Sequence, residues 1–237
     1  MLDENLCSFT GYFPLPIRHG MAVGELATMF NSENQLGVNL HVLPMRGYQR
    51  NVWFDQTALP WVAPSPNLRT LTAAILYPGV ALVEGANVSV GRCTDSPFEI
   101  VGAPWINGRR LAAYLNQRKI AGVSFASHEF TPTSNRYPNT LCQGIRIVLN
   151  DRQALDVVGL GLEIASALVR LPPTKFELAR TLGLFGARWV VSAIRAGQDP
   201  LDIMQLWQPM LEAFRTRREK YLLYPGNRAR DDVAPAF

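Results

Sequence analysis

A short apolar run, Val80 to Val83, ends at a carboxylate, Glu84, and passes into small and polar residues: Gly85, Asn87, Ser89, Gly91 and Arg92. No other stretch narrows the fold as much. Apolar residues in a short block bounded by turn formers read as a buried strand. A strand buried on both faces belongs to a sheet covered on both sides. In open α/β sheets, ligands sit beyond the carboxyl ends of the strands. The loop after Glu84 is therefore where a site is expected. The competing reading is a plain turn whose Asn87 and Ser89 bond their own backbone.

The flanking segments extend this pattern. Met21 to Asn31 reads as a helix, with Met21, Leu26, Met29 and Phe30 on one side. Glu25 lies in its first turns, where the helix dipole favours a carboxylate, so it is either a cap or a site group. Leu36 to Met45 alternates apolar with polar residues and reads as a half-buried strand. Between Leu59 and Asn67, Pro60, Pro64 and Pro66 forbid regular structure. Trp61, with Tyr48, Arg50 and Trp53 upstream, suits either a flat polar ligand such as a carbohydrate or the plugging of a core edge. Leu68 to Leu76 reads as a helix stopped by Tyr77-Pro78-Gly79. Residues 21–84 thus run helix, strand, loop, helix, strand, a piece of a parallel α/β sheet with too few strands to be complete. An incomplete sheet has an open edge, which invites self-association.

Beyond Pro97 the pattern changes to α+β. Gly108 to Gln117 reads as a helix, Val123 to Phe130 and Gln143 to Leu149 as strands. In the second strand Ile145, Ile147 and Leu149 share one face and Arg146 takes the other. Asp156 to Leu171 is a long apolar helix stopped by Pro172-Pro173, and Ala187 to Ala196 a helix ended by Gly197. Asp199-Pro200 opens a last helix with an N-cap and a first-position proline. Pro209 is expected to break or kink it, and the charged segment Arg228 to Asp232 to fray.

Several classes are excluded by what the chain lacks. Net charge is +4 over 237 residues, with Arg215, Arg217, Arg218 and Lys220 together near the end. That clustering reads as a solvated basic helix end rather than a nucleic-acid surface. Cys7, Cys93 and Cys142 are an odd, widely spaced set with neither disulfide nor metal spacing, and the three histidines are scattered. No phosphate-binding, dinucleotide or zinc-protease motif appears, so no cofactor is expected. No window approaches a membrane span, and the N-terminus has no signal-peptide pattern. As given, the chain reads as cytoplasmic; a missing upstream segment would make it periplasmic or secreted.

Several boxes resemble a known family. Arg18-His19-Gly20-Met21 with Gly24-Glu25-Leu26-Ala27 is one, and Trp61-Val62-Ala63-Pro64-Ser65-Pro66-Asn67 is another. Glu84-Gly85-Ala86-Asn87-Val88-Ser89 and Gly91-Arg92 form a third, followed by Pro97-Phe98-Glu99 and Gly102-Ala103-Pro104-Trp105. Phe130-Thr131-Pro132-Thr133 and Arg218-Glu219-Lys220-Tyr221-Leu222-Leu223-Tyr224 also fit. Together they resemble the bacterial exo-β-N-acetylmuramidase NamZ family across nearly the whole chain. Val90 departs from the family's usual glutamate, Cys93 from its glycine and Ser134 from an aromatic residue.

The resemblance implies a glycoside hydrolase that releases N-acetylmuramic acid from the non-reducing end of peptidoglycan fragments, in cell-wall turnover and recycling. It implies a Rossmann-like N-terminal lobe, of which residues 1–96 would be a remnant, and a smaller α+β C-terminal domain over residues 97–237. The active site would lie between the two lobes. Family members are longer at the front, where a Glu-His-Gly-type motif holds a candidate catalytic glutamate, so the chain resembles an N-terminally truncated member. Hydrolysis of a glycosidic bond uses two carboxyl groups. The carboxyl candidates here are Glu84, Glu25 and Glu99, of which Glu84 and Glu25 are the expected catalytic pair. Arg18, His19, Asn87, Ser89, Arg92, Glu99 and Trp61 are the expected substrate contacts, with arginine suited to the lactyl carboxylate of muramic acid. The alternative is a non-catalytic muropeptide- or sugar-binding module, or a degenerate truncated paralogue.

Overall fold

A computed structural model describes residues 2–9, 11–171 and 175–224. The Pro172-Pro173 stop and the Arg228–Asp232 segment lie outside them. The chain divides into two compact units. The first holds Met1–Ile17 and Trp61–Trp207, and the second holds Arg18–Pro60 and Gln208–Phe237.

The first unit is built on one small sheet. Its strands are β1 (Ile100–Ala103), β2 (Val123–Phe130) and β3 (Cys142–Leu149), in the order β1-β3-β2, with both pairings antiparallel. Strand periodicity sends Val101, Phe125, Ile145 and Ile147 into the main core. Helix α3 (Gly108–Gln117) packs on the sheet through Leu111, Ala112 and Leu115, with the Asn107 side chain capping its start by accepting from the Arg110 amide. Helix α4 (Val157–Arg170), capped by Asp156, is buried at eleven of its fourteen positions. A helix apolar nearly all round must run through a core rather than over it. Helices α5 (Leu182–Phe185) and α6 (Arg188–Arg195) close the unit, and α6 ends before Gly197, which takes a left-handed φ of 75°.

The charge buried with α4 is compensated. Glu163 is 4% exposed, and Arg118, just past α3, holds it through two nitrogens at 2.9 Å. The same guanidinium grips Asp199 at 2.9 and 2.7 Å. Asp199 in turn accepts from the Leu201 amide at the start of α7 (Pro200–Glu219). One arginine thus ties three helices.

The expected partial Rossmann-like parallel sheet is not present among the described residues; the only sheet there is antiparallel and lies after residue 99. Val80 to Val83 is not a strand. Helix α2 (Leu71–Val80) runs through Pro78, and Ala81–Val83 continue as a 3₁₀ turn. An apolar run this short fits a buried helix as well as a buried strand. Packing on α4 decides it. A methyl group on Gly79 would overlap the Val157 carbonyl, and one on Gly161 would overlap the Gly79 carbonyl. Two glycines therefore let the backbones touch, and Val80, Leu82 and Val83 are buried. The Tyr77-Pro78-Gly79 stop likewise falls inside the helix, because tertiary burial outweighs the one hydrogen bond that proline removes.

In the second unit, α1 (Val23–Glu33) forms as expected, with Glu25 and Met29 buried. Leu36 to Met45 is not a strand. It has no strand partner, and Leu36, Val38, Leu43 and Met45 are exposed. Its order is local: the Asn31 side chain bonds both backbone groups of Val38. With neither expected strand formed, the open sheet edge on which self-association was expected is not seen among the described residues. Helix α7 is continuous through Pro209. No helix among the described residues is long and apolar enough to cross a membrane.

Candidate functional site

The loop after α2 is anchored before it can present anything. Ser89 and Gly102 exchange backbone hydrogen bonds of 2.8 and 2.9 Å, pinning the loop to β1. The Phe98 amide donates to the Val90 carbonyl at 2.8 Å, and Val90 is 3% exposed in the core. The residue that departs from the family's glutamate is therefore a packing residue here. The Cys93 carbonyl accepts from the Thr133 amide and hydroxyl, which ties the loop to the segment after β2.

On this frame Glu84 and Arg92 meet. The guanidinium contacts both carboxylate oxygens: Nε lies against Oε1, and Nη2 is 3.1 Å from Oε2. Both side chains are about a quarter exposed, at 28% and 26%. The Arg92 guanidinium also lies 4.9 Å from the centroid of the Phe98 ring. The hydrogen bond that Arg92 donates to Glu84 is the main influence raising the Arg92 pKa. The pair is a fixed anion beside a fixed cation at the surface of the loop.

The neighbouring residues face inward. The Asn87 amide donates to the Lys175 carbonyl at 2.7 Å and its oxygen accepts from the Glu177 amide at 2.9 Å. The Asn87 carbonyl accepts from the Tyr137 hydroxyl. Ser89 is 3% exposed, and its hydroxyl accepts from the Gly91 amide. Glu99 accepts from the Thr70 hydroxyl, itself the cap of α2. The Trp61 indole donates to the Leu68 carbonyl across the proline-rich turn.

Arg18, His19 and Glu25 belong to the second unit. Glu25 is fully buried and accepts four hydrogen bonds: from the Ala22 and Leu223 amides, each at 2.7 Å, and from two Arg50 nitrogens at 2.6 and 3.2 Å. Burial pushes its carboxyl up, but Arg50 and the two amides outweigh this and hold it below the ordinary range. Its acceptor capacity is filled from within its own unit, as a helix cap and strut. His19 accepts from the Met21 amide through Nδ1, and burial followed by the Arg218 charge lowers its pKa. Arg18 is exposed.

A second constellation was not anticipated. A pocket of about 460 Å³ in the first unit is lined by Arg69, Ser96, Ile100, His128, Phe130 and Arg146, among others. Since Ile145 and Ile147 point into the core, Arg146 between them faces the opposite side of the sheet. It donates to the Ser96 hydroxyl at 3.2 Å and lies 3.2 Å from His128 Nε2. Arginine has only donors, so Nε2 must accept and the proton sits on Nδ1. Burial, then Arg146, lowers the His128 pKa in the same sense. Arg69 is exposed and donates to the Pro66 carbonyl. Among the described residues, neither arginine is in an ion pair; the exposed Asp95 is the carboxylate of the lining. The signal was the alternation that sets Arg146 apart from its neighbours, but strand register, which brings His128 beside it, is not written in either strand alone. Among the described residues no cluster of three or more histidine, cysteine, aspartate or glutamate side chains could hold a metal ion.

Residues 75–224 match the family model described as exo-beta-N-acetylmuramidase NamZ, C-terminal, and residues 1–72 match its N-terminal counterpart. The chain is 37% identical over 227 residues to the peptidoglycan beta-N-acetylmuramidase NamZ of Bacillus subtilis (strain 168), covering 94% of this chain and 55% of that protein. It therefore spans about half the length of that curated relative. Two crystal structures of DUF1343 family proteins from Bacteroides fragilis NCTC 9343 are similar. One has a TM-score of 0.87 at 25% identity, over 94% of this chain and 61% of that one. The other has a TM-score of 0.73 at 29% identity, over 95% and 62%.

Proposed function

The chain belongs to the exo-β-N-acetylmuramidase NamZ family, and from that premise we propose that it acts as a glycoside hydrolase removing N-acetylmuramic acid from the non-reducing end of peptidoglycan fragments. The observation that carries the reading is the Glu84–Arg92 pair, a partly exposed carboxylate held at both oxygens on an anchored loop. Hydrolysis of a glycosidic bond uses one carboxyl group as acid and a second as base or nucleophile. An arginine-held carboxylate suits the second role, since its oxygens accept and its orientation is fixed. Glu84 is assigned that role and Glu25 is assigned to architecture, so the leaving oxygen takes its proton from a general acid other than these two. Arg18 and His19 remain proposed substrate contacts. Asn87, Ser89, Glu99 and Trp61 serve the site by shaping the loops around it.

The reading keeps a two-part organisation: residues 1–96 as the end of a larger α/β lobe and residues 97–237 as the α+β domain that carries the sheet. Residues 1–72 match the N-terminal family model, which supports an N-terminal part distinct from the sheet-bearing one.

The test is release of N-acetylmuramic acid from a chromogenic muramide by this chain and by Glu84→Gln. Turnover that falls at least about 100-fold in the variant supports the assignment. Equal turnover in both would remove Glu84 from the chemistry. A second reading, a muropeptide-binding module that does not cut, is favoured by the filled acceptors of Glu25. Saturable binding with no turnover in either protein would select it.

A further inference from the structure

We propose that the pocket on the outer face of the sheet binds a carboxylate, and that this is the 3-O-lactyl carboxylate of a muramic acid unit; the inference rests on the muramidase reading above. Three features of the pocket point to an anion. Arg146 is held in place from two sides, by Ser96 and by a neutral His128, neither of which neutralises it. Its remaining N–H groups can meet an anion without reorganisation, which is the condition under which arginine recognises a carboxylate best. Arg69 adds a second positive charge to the lining, against one exposed carboxylate, Asp95.

The remainder of the lining narrows the anion. Ile100 and Phe130 lie in a small apolar cluster on the same face of the sheet and form an apolar part of the wall beside Arg146. A lactyl ether carries a methyl group next to its carboxylate, so one substituent would satisfy both the arginine and this wall. The Thr94 and Thr133 hydroxyls donate to the Gly91 and Cys93 carbonyls, so they offer the attached sugar acceptor lone pairs, while Ser96, which accepts from Arg146, keeps its own proton to donate. The volume, about 460 Å³, is in the range of small-molecule sites.

The loop connects this pocket to the proposed chemistry. Cys93 to Ser96, which line the pocket, follow directly on Arg92. The task of meeting a substrate carboxylate was expected of Arg92 and Arg18; Arg92 is itself committed to Glu84 and Phe98, and within the first unit Arg146 and Arg69 are the arginines that line a pocket. Selectivity for muramic over glucosamine units would then be set by the sheet face.

The experiment is calorimetric titration of the whole chain with N-acetylmuramic acid, its methyl ester, N-acetylglucosamine and N-acetyl-D-alanyl-D-alanine. The acid is expected to bind about tenfold or more tightly than the ester or N-acetylglucosamine, as loss of a charge-assisted contact requires. Arg146→Gln is expected to bring that ratio close to one by weakening the acid far more than the ester. Arg69→Gln, at an exposed side chain whose change leaves the core untouched, is expected to reduce the ratio by a smaller factor. A ratio that survives both substitutions overturns the proposal. So does Arg146-dependent binding of the dipeptide with none of the sugar acid, which would make the ligand a peptide terminus. Failure of the muramidase reading is distinguishable: the muramide would not be hydrolysed while the Arg146-dependent ratio persisted.

Discussion

Arg92 closes on Glu84 from eight residues further along the chain, contacting both carboxylate oxygens while its guanidinium rests on the Phe98 ring. The planar fork and the ring contact both depend on arginine rather than on charge alone. Arg92→Lys keeps the charge and loses the second oxygen contact. Turnover of a muramide is expected to fall roughly 10- to 100-fold, since a small misplacement of a reacting group has that effect. The melting temperature should move little, because both side chains are partly exposed. Unchanged turnover in Arg92→Lys would show that the geometry of the pair is not used.

Glu25 makes the opposite case, a carboxylate whose loss should be felt in stability. Its folded pKa is depressed below the ordinary value of 4.5, because Arg50 and two amides outweigh burial. A depressed carboxyl contributes stability that is fully present above the unfolded pKa and is lost as pH falls through the folded one. Acid titration of stability should therefore show a decline below about pH 4.5 that Glu25→Gln flattens. At neutral pH the same variant leaves Arg50 buried without its anion and should lose about 3–5 kcal/mol. Denaturant melts across the acid range check both, and a variant with an undiminished acid limb would refute the assignment of Glu25 as a strut.

Arg118 supports a third prediction. Glu163 is 4% exposed on α4 and depends on this one guanidinium, which raises the cost of losing it. Arg118→Ala should destabilise by about 3–5 kcal/mol. Adding Glu163→Gln should recover part of that, because the stranded charge is then gone. A double-mutant cycle measures the recovery; two independent, additive losses would mean that the buried charge is not what makes Arg118 important.

Where the sequence could be read and where it could not follows from the range of the interactions. Helix α3 forms over the whole expected span from Gly108 to Gln117, and β2 over Val123 to Phe130, since amphipathic spacing and turn residues are local signals. Asp199-Pro200 opens α7 for the same reason. The errors lie where distant contacts decide. Val80 to Val83 is helical because α4, beginning over seventy residues later, meets it at Gly79. Leu36 to Met45 has strand periodicity but no neighbour to pair with, and periodicity alone gives no ladder. In the site, Glu84 with Arg92 was legible as two polar residues in one loop. The inward commitment of Asn87 to Lys175 and Glu177 was not, nor was the meeting of Arg146 with His128, for each rests on a residue from another part of the chain.

The contact of α2 with α4 yields the last prediction. Replacing a glycine inside a helix with alanine ordinarily stabilises by about 1 kcal/mol. At Gly79 and Gly161 the sign should reverse, because the added methyl meets a backbone carbonyl of the other helix, which cannot turn aside as a side chain can. Gly161→Ala is expected to cost about 1–3 kcal/mol as the helices are forced apart, seen as a melting temperature lower by several degrees. Gly183 in α5 is the matched control, since a methyl there meets nothing within 4 Å. Gly183→Ala should be neutral or stabilising by up to about 1 kcal/mol. Because α2 leads directly into the turn that carries Glu84, Gly161→Ala should also lower turnover at temperatures where the protein remains folded. If both alanine variants stabilise equally, the close approach of the two helices is not what fixes residues 79–83 as a helical turn.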